Sequence, residues 1–202
     1  MNLIFVRHGQ SIWNLENKFT GWVDVELSER GVREAEDAAI TLLSHNFIPD
    51  ICFTSFLKRS KSTAEIILNK MKKDVDLNIK TTDIWQLNER HYGALQGLDK
   101  IETAKHYGED QVQLWRRSYD VLPPLAEKGS QFDPKTDKKY ENIKEELPLG
   151  ESLEKVVERL GSTFTNILEV VKTKQVLIVA HGNSIRAMVK MLDNLSNSEI
   201  VN

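Results

Sequence analysis

Four short runs of apolar and β-favouring residues punctuate the chain, at Leu3–Val6, Ile51–Thr54, Leu77–Thr81 and Val176–Ala180. Their length and composition predict strands. Helical spacing fills the gaps. After Ser28, a good N-cap, Val32, Ala35, Ala39, Leu42 and Leu43 recur every three to four residues. Leu57, Ala64, Ile67, Leu68 and Met71 mark a second stripe. Leu153, Val156, Val157, Leu160, Phe164, Ile167, Leu168 and Val171 form the clearest one, beginning beside Ser152. Such stripes are core faces and say nothing of chemistry. Strands separated by helices imply right-handed crossovers. The fold class expected is therefore α/β, a three-layer α/β/α sandwich on a mainly parallel sheet.

Two segments exceed what a minimal crossover needs. Residues 82–120 are polar and aromatic, and are read as a helical cap over the sheet edge. Residues 121–150 carry four prolines and many lysines and are read as a long surface loop. Long loops in compact domains are commonly lids. The expected organisation is one domain over residues 1–202, with a cap or lid insertion at about 82–150.

Composition narrows the function. At 202 residues with 40% hydrophobic content the chain sustains a core. Its longest apolar runs are about five residues, too short to span a membrane. No basic-then-apolar segment precedes the first strand, so a cytoplasmic location is expected. The lone Cys52 rules out an internal disulfide and, within an apolar strand, reads as an inert buried thiol. A net charge of −3 without like-charge blocks argues against a nucleic-acid binder. Any anionic ligand must then be held by a local cluster of cations.

Two strands supply the candidates. "NLIFVRHGQSIWN" and "QVLIVAHGNSIRAM" each drive an apolar run straight into His-Gly. In parallel sheets ligands bind beyond the carboxyl ends of the strands. If the two strands are neighbours, His8 and His181 face each other there. "FTSFLKRS" brings Arg59 to the same rim in the first turn of a helix, and "LNERHYG" offers Glu89, Arg90 and His91. Gly9 and Gly182 would let backbone N–H groups approach a ligand closely. Arg7, Arg59 and the two imidazoles suit a compact dianion, and phosphate fits best, because guanidinium forks bind phosphoryl oxygens in pairs. Nearby cations keep an imidazole neutral and hence nucleophilic. A zinc site on His8, His91 and His181 lacks the usual ligand spacing. Neither G-x-G-x-x-G nor G-x-x-x-x-G-K-[ST] occurs, which removes the main support for dinucleotide and P-loop readings.

The stretches "VRHGQSIWN", "FTGWVDVELSERG", "TSFLKRSKST", "LNERHYGALQGL", "QLWRRSY", "LPLGESL" and "VAHGNSIRA" resemble the cofactor-dependent phosphoglycerate mutases, a branch of the histidine phosphatase superfamily. The resemblance runs from residue 2 to about 200. Arg-His-Gly is shared across the superfamily, whereas "LNERHYGALQGL" and "QLWRRSY" are more specific to the mutase branch.

By that resemblance His8 is the phosphorylated nucleophile, Arg7, Arg59 and His181 clamp the transferring phosphoryl group, and Glu89 exchanges protons with the substrate hydroxyl. Ser11, Asn14, Gly182 and Asn183 match phosphate and substrate contacts, and Thr20-Gly21 matches a loop beside the substrate. Arg90, Tyr92, Lys100, Arg116 and Arg117 match positions holding the carboxylate and second phosphate. Taken singly, Lys100 and Arg116-Arg117 would be ordinary solvated helix charges, and the four tryptophans read as packing residues. The implied reaction interconverts 2- and 3-phosphoglycerate through phospho-His8, primed by 2,3-bisphosphoglycerate, with no metal. The implied partners are small-molecule phosphoglycerates, neither nucleic acid nor membrane, and a second copy in a homodimer or homotetramer. The resemblance also implies a further strand and tail beyond "LSNSEIVN". Their lack would leave a sheet edge unpaired and favour hydrolysis of phospho-His8. The alternatives are a phosphatase or bisphosphoglycerate mutase of the same superfamily, a non-catalytic phospho-ligand domain, and a metalloenzyme.

Overall fold

The computed structural model describes residues 2–201. Four strands, β1 (Leu3–Arg7), β2 (Ile51–Thr54), β3 (Lys80–Asp83) and β4 (Val176–Ala180), form one parallel sheet in the order β1-β4-β2-β3. The wholly buried β4 lies centrally, as its unbroken apolar run requires. Alternation along the strands sorts the core into two layers. Val176, Ile178, Ala180 and Phe53 face α6 (Leu153–Val171) and α7 (Gly182–Asp193). Leu177, Val179 and Cys52 face α2 (Glu29–Ser44) and α3 (Lys58–Met71). The three-layer α/β architecture is thereby realised.

Ser28 and Ser152 cap α2 and α6 by accepting from the N–H of Gly31 and Lys155. Two expectations shift. The third strand lies three residues later than predicted, at Lys80–Asp83. Leu77 is buried against Met71 and its neighbours, while the more polar residues that follow make an edge strand with one ladder partner. In α2, Val32 is exposed, because Gly31 takes the buried position. A Cβ on Gly31 would come within 2.1 Å of the Gln10 carbonyl, so only glycine lets α2 approach the turn after β1.

The segment from 82 to 120 holds two short helices, α4 (Lys100–Tyr107) and α5 (Glu109–Arg117), after two single 3₁₀ turns. Val112 and Trp115 of α5 pack on Phe19 and Leu95. Residues 121–150 contain no α-helix but are not merely a surface loop. Tyr140 and Leu147 are buried against Trp22 and Trp85, so the loop is stitched to the cap by an aromatic cluster. Among the described residues β1 has β4 as its sole ladder partner, and no helix is long and apolar enough to cross a membrane.

Candidate active site

Because β1 and β4 are adjacent and in register, with Arg7 opposite Ala180, the next residue of each strand emerges at the same sheet edge. Those residues are His8 and His181, and their ring centroids lie 4.9 Å apart. The His8 Nδ1–H donates to the Gly9 carbonyl at 2.7 Å, and Arg59 Nε–H donates to His8 Nε2 at 3.3 Å. These contacts define the tautomer: Nε2 carries the lone pair and faces Arg59. Burial, reinforced by Arg59 and Arg7, holds His8 well below the ordinary histidine pKa. Burial does the same to His181, aided by Arg59 and His8. Both rings are therefore neutral near pH 7.

Arg59, fully buried at the start of α3, is fixed by two further bonds. Its Nη1 donates to the Val23 carbonyl at 3.0 Å and its Nη2 to the Gly21 carbonyl at 2.7 Å. Burial brings its pKa down to about 10, so it stays charged at neutral pH. Gly21 has φ of +55°, and a Cβ there would lie 2.0 Å from Gln96 Oε1, which itself accepts from the Trp22 N–H. The loop carrying Thr20 and Gly21 is thus moulded around Arg59.

These groups open into a cleft of about 240 Å³ lined by seven cationic side chains (Arg7, Lys18, Arg59, Lys100, Arg116, Arg117 and Arg186) and one carboxylate, Glu89. Such a concentration in a chain of net charge −3 is the local cluster that an anionic ligand needs. Arg7, Arg116, Arg117 and Arg186 make no side-chain hydrogen bond or ion pair among the described residues. Glu89 Oε1 accepts from the N–H of Asn183 at 3.2 Å and its Nδ2 at 2.9 Å, and from the Arg90 N–H at 2.7 Å. A Cβ on Gly182 would lie 3.8 Å from Arg7 Nε and 3.9 Å from Glu89 Oε2, so these two charges bracket the start of α7. Burial and neighbouring Arg116 bring Lys100 down to about 8, although its Nζ donates to the Lys18 carbonyl at 2.8 Å.

Of the residues picked out from sequence, Arg7, His8, Asn14, Thr20, Gly21, Arg59, Glu89, Tyr92, Lys100, Arg116, Arg117, Gly182 and Asn183 line this cleft, while His181, its ring tilted 55° to that of His8, is buried next to it and is not among the lining residues. Two more lie outside it. Ser11 is buried and caps the short α1 (Ile12–Leu15), exchanging hydrogen bonds with Asn14. Arg90 is buried beneath the cap, donating to the Arg116 carbonyl at 2.7 Å and the Tyr92 hydroxyl at 3.1 Å. Both position residues of the cleft and do not line it. The Gly9 N–H likewise does not face a ligand, because it donates to Thr63 Oγ1 at 3.2 Å. His91 is tied to the cap: its Nε2 bonds the Phe132 carbonyl at 3.0 Å, and its Nδ1 accepts from the Gly93 N–H. It does not join His8 and His181, and no cluster of three His, Cys, Asp or Glu suited to a metal occurs among the described residues.

Sequence reasoning missed several groups. Lys18 and Arg186 add two cations to the cleft. The "HGNSIRA" stretch held the signal for Arg186: it falls one helical turn after Gly182, on the face of α7 that lines the cleft. Arg159 and Glu151 form a buried ion pair at 2.6 Å behind the Glu89 loop. Arg159 also donates to the carbonyls of Gln86, Asn88 and Glu89, and Glu151 accepts from the His91 N–H. Together with Trp22 Nε1, which donates to the Glu89 carbonyl, they tie that loop to α6.

The histidine phosphatase superfamily (branch 1) profile matches residues 3–148 and 133–202. The chain belongs to this superfamily. Two curated relatives bear the name 2,3-bisphosphoglycerate-dependent phosphoglycerate mutase. The one from Treponema denticola is 50% identical over 204 residues, and that from Lachnoclostridium phytofermentans is 46% identical over 205. Each alignment covers 100% of this chain and 81% of the relative. Among solved structures, a mycobacterial glucosyl-3-phosphoglycerate phosphatase superposes with a TM-score of 0.71 at 23% identity, covering 98% of this chain and 82% of that one. The α-ribazole phosphatase of Shigella flexneri also gives 0.71, at 20% identity, with 99% and 83% covered. At such identities these structures attest the superfamily fold alone. Membership fits an enzyme whose histidine carries a phosphoryl group.

Proposed function

We propose that the protein is a phosphoglycerate mutase that interconverts 2- and 3-phosphoglycerate through phospho-His8, primed by 2,3-bisphosphoglycerate. One observation carries the reading. His8, its Nε2 lone pair turned to Arg59, lines a cleft with seven cationic side chains and one carboxylate, Glu89, which is close enough to influence both Arg59 and Arg186. A ligand with two anionic groups spaced along a short carbon chain, and a hydroxyl in the middle, satisfies every part of this lining. The names of relatives at 46–50% identity support the same substrate.

In the forward half-reaction the phospho-His8 Nε2–P bond breaks as the substrate hydroxyl oxygen attacks phosphorus, and Glu89 takes the hydroxyl proton. Arg7, Arg59 and His181 neutralise charge on the phosphoryl oxygens, the stabilisation that dominates phosphoryl transfer. The bisphosphate intermediate turns within the cleft, held by Arg116, Arg117 and Lys100. His8 then takes the other phosphoryl group while Glu89 returns the proton to the oxygen it leaves.

Brief exposure to 2,3-bisphosphoglycerate followed by mass spectrometry tests the nucleophile: a single phosphoryl adduct on His8 is expected. Incubation with 3-phosphoglycerate then tests the class. Conversion to 2-phosphoglycerate supports the mutase. Release of inorganic phosphate without isomerisation would make the protein a phosphatase of the same superfamily.

A further inference from the structure

His181 poses a question of valence. Its ring is fully buried, its Nε2 lies 2.7 Å from Ser55 Oγ, and its Nδ1 makes no hydrogen bond among the described residues, although the side chain sits in a capping-box arrangement with the Ser184 N–H at the start of α7. The ring centroid lies 4.9 Å from that of the cleft-lining His8, and on the proposed function an orphaned nitrogen so placed would help a bound anion only if it carried a proton. A bare lone pair there would repel the anion. The tautomer is fixed by whichever hydrogen lies between Ser55 and Nε2.

The hydroxyls behind the ring decide it. Ser55 Oγ accepts the Leu57 N–H at 3.0 Å and lies 2.7 Å from Ser60 Oγ. Ser60 Oγ accepts the Ser55 N–H at 3.2 Å, and its own hydrogen can go either to Ser55 Oγ or to the Leu57 carbonyl, 3.2 Å away. That carbonyl already receives the N–H groups of Ser60 and Lys61 at 3.1 and 3.3 Å. A carbonyl already shared by two N–H groups is a poorer acceptor for a third donor, and the 2.7 Å contact to Ser55 Oγ is shorter than the 3.2 Å to that carbonyl. The Ser60 hydroxyl therefore donates to Ser55 Oγ over the shorter distance. With two donors received, Ser55 Oγ has spent both lone pairs, and its own hydrogen points at His181 Nε2.

We infer that the Ser60–Ser55 hydroxyl relay holds His181 as the Nδ1–H tautomer, making Ser55 a positioning residue that turns the orphaned nitrogen into a hydrogen-bond donor for the transferring phosphoryl group. This deepens the proposed phosphoryl transfer and rests on it for its catalytic consequence, though not for the tautomer. It also accounts for two serines that do not line the cleft. Both are fully buried at the β2–α3 junction, where each hydroxyl also accepts a buried backbone N–H, and loss of the Ser55 hydroxyl would leave Nε2 free to take the proton. No proton moves through the relay during turnover, since the Nδ1 hydrogen stays in place and only its acceptor arrives. Loss of one oriented donor to developing charge costs about 10²-fold in rate.

The test begins with the ring itself. Nitrogen-15 spectra of histidine-labelled protein with inorganic phosphate bound should show His181 with a protonated Nδ1 and an unprotonated Nε2. The opposite pattern overturns the inference, whatever reaction the enzyme catalyses. Ser55→Ala should slow phosphoryl transfer through His8 by about 10²-fold with KM for 3-phosphoglycerate nearly unchanged, and Ser55→Thr, which keeps the hydroxyl, should recover most of it. A wild-type kcat in Ser55→Ala would refute the role. Should Ser55→Ala fail to fold, Ser60→Ala decides: it frees a lone pair on Ser55, so mixed His181 tautomers and a lower kcat are expected. An unchanged spectrum and rate would rule the relay out. Failure of the mutase reading looks different, since no isomerisation would be seen while the wild-type spectrum still reports the tautomer.

Discussion

The two ends of the cleft are built on opposite plans. At the sheet end, His8, His181 and Arg59 are buried, and hydrogen bonds to carbonyls and hydroxyls orient each of them before any ligand arrives. At the cap end, Arg116, Arg117 and Arg186 project unpaired cations from the ends and faces of helices. On the proposed function, the contrast separates chemistry from recognition. Groups that act on phosphorus gain from having no reorganisation left to do. Groups that only attract an anion gain from having no internal carboxylate to give up. Burial and crowding by Arg117 and Arg90 lower the Arg186 pKa, a repulsion that a bound anion would relieve.

Perturbing each end should therefore give different kinetic signatures, and the largest is expected at the sheet. His8→Asn should abolish the phosphoryl adduct and lower kcat by at least about 10⁴-fold, because no other imidazole lines the cleft among the described residues. Retained turnover with retained isomerisation would break the division outright. Glu89→Gln keeps the shape and removes the base, so a fall of about 10²- to 10⁴-fold in kcat is expected, with ligand binding intact. Behind that loop, Arg159→Met strands the buried Glu151 carboxylate. Chemical denaturation should show a loss of about 3–5 kcal/mol, which would drop to under 1 kcal/mol if the pair were merely decorative.

At the cap end the effects should be smaller and fall on KM. Arg186→Gln should raise KM for phosphoglycerate about ten-fold, or about 1.4 kcal/mol, while leaving kcat within a few-fold. A kcat effect without a KM effect would place Arg186 with the sheet residues instead. The mildest signature is one of pH. Lys100, brought down to about 8, is charged below that value and neutral above it, so affinity for the anionic substrate should weaken as pH rises through about 8. Binding of the anion favours the charged form and should move this limb upward. Lys100→Met should remove the limb, and titrating KM against pH for both proteins checks it.

The same division marks what was legible beforehand. Apolar runs ending in His-Gly announced the sheet end directly, since a strand in a parallel sheet can point only at its carboxyl edge. The cap end came from local motif likeness, and there the reading was less complete. Arg90 carries the charge of a ligand contact yet is spent on the Arg116 carbonyl and Tyr92, and Ser11 is spent on capping α1. Lys18 and Arg186 went unnoticed because an exposed helix or loop cation looks the same whether it faces solvent or a ligand. The third strand was misplaced because an apolar Leu77 signals burial but not pairing, and an edge strand needs only one partner.

By itself, the sequence determined the alternation of strands and helices, the two buried layers, and the pair of imidazoles with an arginine at the strand ends. Periodicity and strand composition are local properties, and local properties are written residue by residue. Only the tertiary structure decided that β1 and β4 are neighbours, that Ser55 stands behind His181 across 126 residues of chain, and that Glu151 and Arg159 brace the Glu89 loop. Those facts depend on which surfaces meet when the layers pack. A hydroxyl or guanidinium shows its role only once the lone pairs around it are already taken.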